Sequence, residues 1–252
     1  MSRPHSGKLH AGLGFRIRTD IARVPMVLME RFREFDVPDI SDVLNGLYAV
    51  DFSITRQTME EETLCGAACT VRVFPGDNLM VHKALDVAQP GDVIVVDAGG
   101  DRSANAVLGD RICAKAKVRK IAGFVIDGLV RDLPGIDQLG VPVFARATTT
   151  MGPSHRGPGE INYPVCCGGK VVHPGDVIVA DSSGIVVIPN ENAEEVLERA
   201  ATRHAAEKEY LASLQAGEFS NDWVDDVLKL GGCLVDDRSL EEQEEDASKR
   251  TA

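Results

Sequence analysis

The chain has 252 residues, 44% of them apolar and 26% charged, with 39 Asp and Glu against 27 Lys and Arg for a formal net charge of −12. That length supports a large domain with a real core, and the acidic balance disfavours a nucleic-acid partner, whose phosphates call for a basic surface. No apolar run approaches the roughly 20 residues of a membrane span, and the opening "MSRPHSGKLHAGLGFRIR" lacks the apolar core of a secretory signal, so no membrane partner is expected and the cytoplasm is the expected compartment.

In chain order, residues 1–20 read as a polar, flexible extension, residues 21–234 as a single α/β domain, and residues 235–252, with "DDRSLEEQEED", as an acidic, disordered tail. "PMVLMERFREF" and "DISDVLNGLYAV" have the pattern of two helices separated by Val37-Pro38, with Asp39 or Ser41 as cap. From Cys65 the pattern changes to short β-branched runs: "ACTVRVF", "DVIVVDA", "KIAGFVID", "VPVFA", "KVVH", "DVIVAD" and "GIVVIP". Several are apolar on both faces, as in a sheet covered on both sides. Helices are expected over 79–87, over 105–118, briefly after Asp132, over 192–214 and over 222–230, which together give an α/β fold with helical ends.

"PGDVIVVDAGG" and "PGDVIVADSSG" are alike because a Pro-Gly turn ahead of a buried strand recurs by turn chemistry; Asp97 and Asp181 at the strand ends read as loop caps. The six cysteines show no C-x-x-C spacing and sit in apolar contexts. They read as small buried hydrophobes rather than zinc ligands or disulfides.

The unit from residue 93 to residue 132 carries the functional signal. If strand 93–96, the following helix and strand 121–126 form a parallel crossover, the first strand's end, the helix start and the second strand's end share one sheet edge. Asp110 and the pair Arg131-Asp132, 20 intervening residues apart, then reach the rim where open α/β sheets bind ligands. Lys115, Lys117, Arg119 and Lys120 are expected toward the opposite edge, which disfavours a Schiff-base lysine. Neither G-x-G-x-x-G nor G-x-x-x-x-G-K-[ST] occurs, so dinucleotide and P-loop readings fall away.

The rim offers helix-start amides at Arg111, Ile112 and Cys113 for a carboxylate, a forked cation at Arg131, and a hard-oxygen ligand at Asp132 for Mg²⁺ or Mn²⁺. A small anionic 2-oxo acid fits all three. An Asp near a helix start also serves as a cap, and an Arg-Asp pair as a solvated loop, so spacing alone leaves both readings open.

The segments "FPGDN", "PGDVIVVDAGGD", "AVLGD", "VIDGLVRD", "GVPVFAR" and "INYPVCCGGKVVHPGDVIVADSSGIVVIP" resemble the class II 4-hydroxy-4-methyl-2-oxoglutarate / 4-carboxy-4-hydroxy-2-oxoadipate aldolase family, which also contains the regulator of ribonuclease activity A. The likeness runs over about residues 36–217, and the D-x20-R-D motif of the aldolases is matched at Asp110, Arg131 and Asp132. The resemblance implies a layered α/β sandwich of the swivelling, phosphohistidine-domain-like type, in homotrimers or homohexamers with sites at subunit interfaces. It implies Asp132 as the ligand of Mg²⁺ or Mn²⁺, Arg131 on the oxo-acid oxygens, Asp110 on a metal-bound or catalytic water, and Asp42 and Glu207 reaching a neighbouring subunit's site, Glu207 reading equally as part of a solvated helical face.

The activity implied is retro-aldol cleavage of a 4-hydroxy-2-oxo acid to pyruvate and a second oxo compound, with oxaloacetate decarboxylation as a companion. The alternatives are a non-catalytic regulator that binds an RNA-processing enzyme, and another metal-enolate lyase or hydratase acting on sugar-derived acids. The regulator branch carries an acid three residues after the Arg-Asp pair; here that position is Gly135, which favours the enzyme branch.

Overall fold

The structure, a computed structural model, describes residues 8–59 and 61–235. Residues 1–7 and the expected acidic tail beyond Val235 lie outside the described residues. The chain divides into two compact units, with the boundary between Ala205 and Ala206.

The first unit opens with β1 (Phe15–Ile17), α1 (Met26–Arg31), a 3₁₀ turn (Phe32–Glu34) and α2 (Val37–Val43). Strands β2 (Thr55–Arg56) and β3 (Leu64–Val73) lead into α3 (Leu79–Val87), β4 (Val93–Asp97), β5 (Ala106–Leu108), α4 (Asp110–Val118), β6 (Gly123–Val130) and α5 (Leu133–Leu139). Then come β7 (Val143–Thr148), β8 (Gly159–Ile161), the hairpin β9 (Val165–Cys167) and β10 (Lys170–Val172), β11 (Val177–Asp181) and β12 (Gly184–Ile188). Helix α6 (Ala193–Gln215) begins in this unit and ends in the second, which also holds α7 (Asp222–Leu230).

The result is a mixed α/β fold on a large sheet of order β1-β8-β3-β4-β6-β7-β2, with β5 joined to β6, and β11 joined to β3 and β12. Side-chain alternation explains why the central runs Val93–Val96 of β4, Phe124–Ile126 of β6 and Val177–Ala180 of β11 are apolar at every position. Along β4, Ile94 and Val96 enter a core with α3, α4 and α5, while Val93 and Val95 enter a second core with Val125, Phe144 and Ile178. Successive residues of a strand face opposite sides, so a sheet covered on both faces demands an apolar residue at every position. Each fully buried Ile or Phe contributes about 1.5–3 kcal/mol through removal from water. A third core packs Phe32, Val37 and Ile40 against β11, β12 and the first turns of α6.

Four expectations are corrected. Residues 15–17 form an edge strand, paired in parallel with Gly159–Ile161, rather than part of a flexible extension. Pro38 does not separate two helices: it sits in the first turn of α2, where its missing N–H costs no hydrogen bond, and the Val37 amide donates to Asp181 at 3.1 Å. Asp39 and Ser41 therefore lie within the helix, which stops at Val43, with Asn45 at φ 56 just beyond. The helix expected over 105–118 is a three-residue strand followed by a helix that begins at Asp110.

Candidate active site

β5 and β6 run parallel, with Leu108 opposite Val130. The Arg131 amide donates to the Leu108 carbonyl at 3.1 Å and closes the ladder. Two residues further on, one strand reaches Asp110 and the other Asp132. The sequence separation of the two acids equals that of Leu108 and Val130, so the motif spacing is the register at the end of this strand pair carried two residues further. β5 was not foreseen; three residues give too short a period to read as a strand.

Asp110 is the first residue of α4, where a carboxylate suits the helix dipole, and Gly109 precedes it in extended conformation. Asp132 precedes α5 at φ 62, ψ 34. This left-handed conformation costs a non-glycine residue roughly 1–2 kcal/mol, which Asp tolerates better than most. The Asp132 carbonyl accepts the amides of Gly135 and Ile136, and the Arg131 Nε lies 3.3 Å from Asp132 Oδ2. The strained turn thus directs two consecutive side chains to one place.

Three glycines give these side chains room. A methyl group on Gly109 would sit 2.8 Å from Asp132 Oδ2, one on Gly135 2.9 Å from the Asp110 Cβ, and one on Gly152 2.8 Å from a terminal nitrogen of Arg131. Each member of the triad packs on the bare backbone of a glycine from another segment.

The triad lines a cleft of about 380 Å³. Arg111 and Lys115 of α4 extend one wall, and the facing wall comes from Asn78 and His82 near the start of α3 and from Gly152, Pro153 and His155. Buried Asp77 fastens that second wall, accepting the Ser154 hydroxyl at 2.7 Å and the amides of Arg156 and Leu79 at 2.5 and 2.9 Å. Burial pushes the Asp77 carboxyl up, but these donors outweigh it and hold the group below the ordinary carboxylate range. His155 Nδ1 lies 2.6 Å from Asn78 Oδ1, and the His155 and His82 rings meet edge to face with centroids 5.8 Å apart. Burial, then the charges of Lys115 and His155, lower the His82 pKa, which favours the neutral imidazole. Asn78, the residue before α3, and His82 within it are four apart, the only sequence signal that could have marked this wall; His155 offers none.

The remaining candidates separate. The Ile112 and Cys113 amides already donate to the Gly109 carbonyl at 3.1 and 3.2 Å, so they are not open to a carboxylate as expected. Among the backbone hydrogen bonds of the described residues, the Asp110 and Arg111 amides are the helix-start donors left over. Cys113 is buried, and burial pushes its thiol up to about 12. Lys115 lines the cleft rather than the opposite edge; its exposure, not its position, is what argues against a Schiff base, which needs a desolvated amine. Asp42 lies on α2, ion-paired with Arg203, and is not among the residues lining the cleft. Glu207 belongs to the second unit. Asp97 accepts the Gly99 amide and pairs with Arg72, and Asp181 accepts the Val37 and Ser183 amides, the cap roles expected of them. Among the described residues no three His, Cys, Asp or Glu side chains converge as a metal cage, and no helix is long and apolar enough to cross a membrane.

Residues 37–187 match the RraA-like family model, described as Aldolase/RraA. A Halalkalibacterium halodurans protein named "Putative 4-hydroxy-4-methyl-2-oxoglutarate aldolase" is 43% identical over 175 residues, 69% of this chain and 82% of that one. Among solved structures, Streptomyces coelicolor RraAS2, titled an unusual member of the RNase ES inhibitor RraA protein family, aligns with TM-score 0.68 and 29% identity over 77% of this chain and 99% of its own. The RNA-processing inhibitor RraA from Thermus thermophilis aligns with TM-score 0.56 and 30% identity over 62% and 93%. With the family model matching more than half its length, the chain belongs to the RraA-like, Aldolase/RraA family.

Proposed function

We propose that the cleft is the active site of a divalent-metal-dependent lyase, which cleaves a 4-hydroxy-2-oxo acid into pyruvate and a second oxo compound and also decarboxylates oxaloacetate. One observation carries the reading: the pairing of Leu108 with Val130 sets Asp110, Arg131 and Asp132 on one lip of an open cleft. The aldolase name of the Halalkalibacterium halodurans relative supports it.

The donor set fits Mg²⁺ or Mn²⁺. Both acids present hard oxygens at a water-accessible lip, and Mg²⁺ binds through one or two carboxylates while keeping several waters, so no three-sided protein cage is needed. Asp132 would hold the ion, with Asp110 beside it. The bound ion supplies Lewis-acid stabilisation of the charge that develops on the 2-oxo group.

The chain's own groups do the rest. Arg131, lying along Gly152, binds an oxo-acid oxygen with its fork and offsets the enolate charge. The open amides of Asp110 and Arg111 bind the carboxylate end. Asp110 accepts the proton of the C4 hydroxyl, directly or through one water, as the C3–C4 bond breaks. Loss of CO₂ from oxaloacetate passes through the same enolate. The reading includes a swivelling-type sandwich, and a trimer or hexamer in which Asp42 and Glu207 of one copy approach the cleft of another.

Pyruvate release over a panel of 4-hydroxy-2-oxo acids and oxaloacetate, with Mg²⁺ and with a chelator, tests this. Metal-dependent release from at least one substrate is expected; none across the panel would overturn it. The RraA titles favour a second reading, a regulator that binds an RNA-processing enzyme. That reading requires a purified chain that associates with such an enzyme and releases no pyruvate.

A further inference from the structure

Asn105 immediately precedes β5, is half-buried, and is not among the residues lining the cleft. Its side chain nevertheless joins the strand that leads to Asp110 to the facing wall. The Asn105 Nδ2 donates to the Gly152 carbonyl. The direction of that amide is set locally: the Ser103 hydroxyl donates to Asn105 Oδ1 at 3.3 Å, which turns the NH₂ end toward Gly152. The Asn105 backbone amide in turn donates to Ser103 Oγ at 3.2 Å. The side chain also rests against Gly76, where an added methyl group would stand 3.1 Å from the Asn105 Cβ.

Gly152 is the platform for Arg131. A methyl group on it would stand 2.8 Å from one terminal nitrogen of Arg131 and 3.5 Å from the central guanidinium carbon. Gly152 lies outside any strand or helix, so no ladder of its own fixes its peptide. Two hydrogen bonds from the start of β5 hold it: the Ala106 amide donates to the Met151 carbonyl at 2.9 Å, and Asn105 donates to Gly152 itself. Only the second reaches the residue that touches Arg131. A carbonyl stripped of its donor turns toward another partner, and a planar fork recognises its ligand only in one orientation.

The geometry points to Asn105 as a positioning residue: by holding the Gly152 peptide, it fixes where the Arg131 fork meets the oxo-acid oxygens. One short strand thereby registers both sides of the site, Asp110 through the pairing of Leu108 with Val130 and Arg131 through Asn105. The effect on turnover rests on the proposed lyase reading, whereas the coupling of Asn105 to Arg131 does not.

The test compares the full chain with Asn105→Ala and Asn105→Asp. Aspartate keeps the size of the side chain and the acceptor for Ser103, but sets an oxygen against the Gly152 carbonyl in place of the donor. Calorimetry with oxalate, a planar dianion shaped like the pyruvate enolate, should show binding in the presence of Mg²⁺ about tenfold weaker in both variants. Affinity for Mg²⁺ alone should stay within about twofold, because Asp132 is untouched. Ser103→Ala, a milder lesion that frees the Asn105 amide to rotate, should weaken oxalate binding about two- to fivefold. In an Arg131→Ala background, Asn105→Ala should lower kcat/KM for pyruvate release no further, since a residue acting through Arg131 has nothing left to position. Oxalate affinity at the parent value in Asn105→Asp overturns the inference. So does an Asn105→Ala loss that adds in full to that of Arg131→Ala, or a loss of Mg²⁺ affinity in step with that of oxalate. Oxalate binding that responds to Asn105 as described, with no pyruvate released from any substrate, overturns the lyase reading alone.

Discussion

The Cα of Gly135 lies against Asp110 so closely that an added methyl group would stand 2.9 Å from the Asp110 Cβ and 3.2 Å from its Oδ2. Gly135 is in α5 with an ordinary negative φ, so alanine there strains no backbone and improves helix propensity by up to about 1 kcal/mol. Gly135→Ala gains that propensity but must push Asp110 and the start of α4 away, an overpacking cost of about 1–3 kcal/mol, so its melting temperature should fall by several degrees while the chain stays folded. It should lower kcat on a 4-hydroxy-2-oxo acid about 10- to 100-fold, because a displacement near 1 Å at a catalytic group is enough. Unchanged turnover would remove Asp110 from the mechanism.

Asp132 trades stability for placement. Its left-handed backbone is one that glycine adopts without penalty. Asp132→Gly should be as stable as the parent or up to about 1 kcal/mol more stable in urea titration, while metal-dependent pyruvate release falls to background. A variant that is destabilised yet active would contradict this assignment.

Arg131 differs from a lysine in offering a planar fork. Its guanidinium is fixed between Gly152 and the Asp132 carboxylate. Arg131→Lys is expected to lose most of what Arg131→Ala loses, about 10²- to 10³-fold in kcat/KM. Full rescue by lysine would reduce the role of Arg131 to charge alone.

Asp77 gives a pH signature. Its native pKa lies below the unfolded value near 3.9. Its contribution is thus fully present above that value, and is lost as pH falls through the lower native one. Urea titrations at stepped pH should show the parent losing this increment below about pH 4. Asp77→Asn should be less stable by about 1–3 kcal/mol at neutral pH and should show a shallower acid loss. Parallel pH curves for the two proteins would refute it.

Lys115 tests the choice between enolate chemistries. It borders the cleft but is exposed. Pyruvate with borohydride should leave activity intact, and Lys115→Ala should retain turnover within about tenfold. Inactivation with a covalent adduct on Lys115 would establish a Schiff-base route instead.

What the sequence disclosed and what it withheld follow from the range of the interactions. The apolar runs of β4, β6 and β11 were legible because burial on both faces removes polar alternation, and the lip residues were legible because their spacing reflects one crossover. β5 was hidden by its length, and its pairing with β6 is what makes Asp110 and Asp132 neighbours. The facing wall was hidden for another reason. Asn78, His82 and His155 meet only because Asp77 ties a loop to a helix start across a long stretch of chain. Lys115 was expected on the wrong edge because its place on α4 relative to the cleft depends on helix rotation, which a sequence pattern does not fix. The fits of Gly109, Gly135 and Gly152 to the triad depend on tertiary approach and leave no local signal.

The central claim is that Asp110, Arg131 and Asp132 together form and hold a pyruvate enolate. Proton NMR of pyruvate in deuterated water, with the enzyme and Mg²⁺, follows that species directly through washout of the methyl signal. The account predicts exchange that stops on chelation and falls at least about 100-fold in Asp110→Asn. Exchange at the buffer rate in the parent, or equal rates in parent and variant, would contradict it.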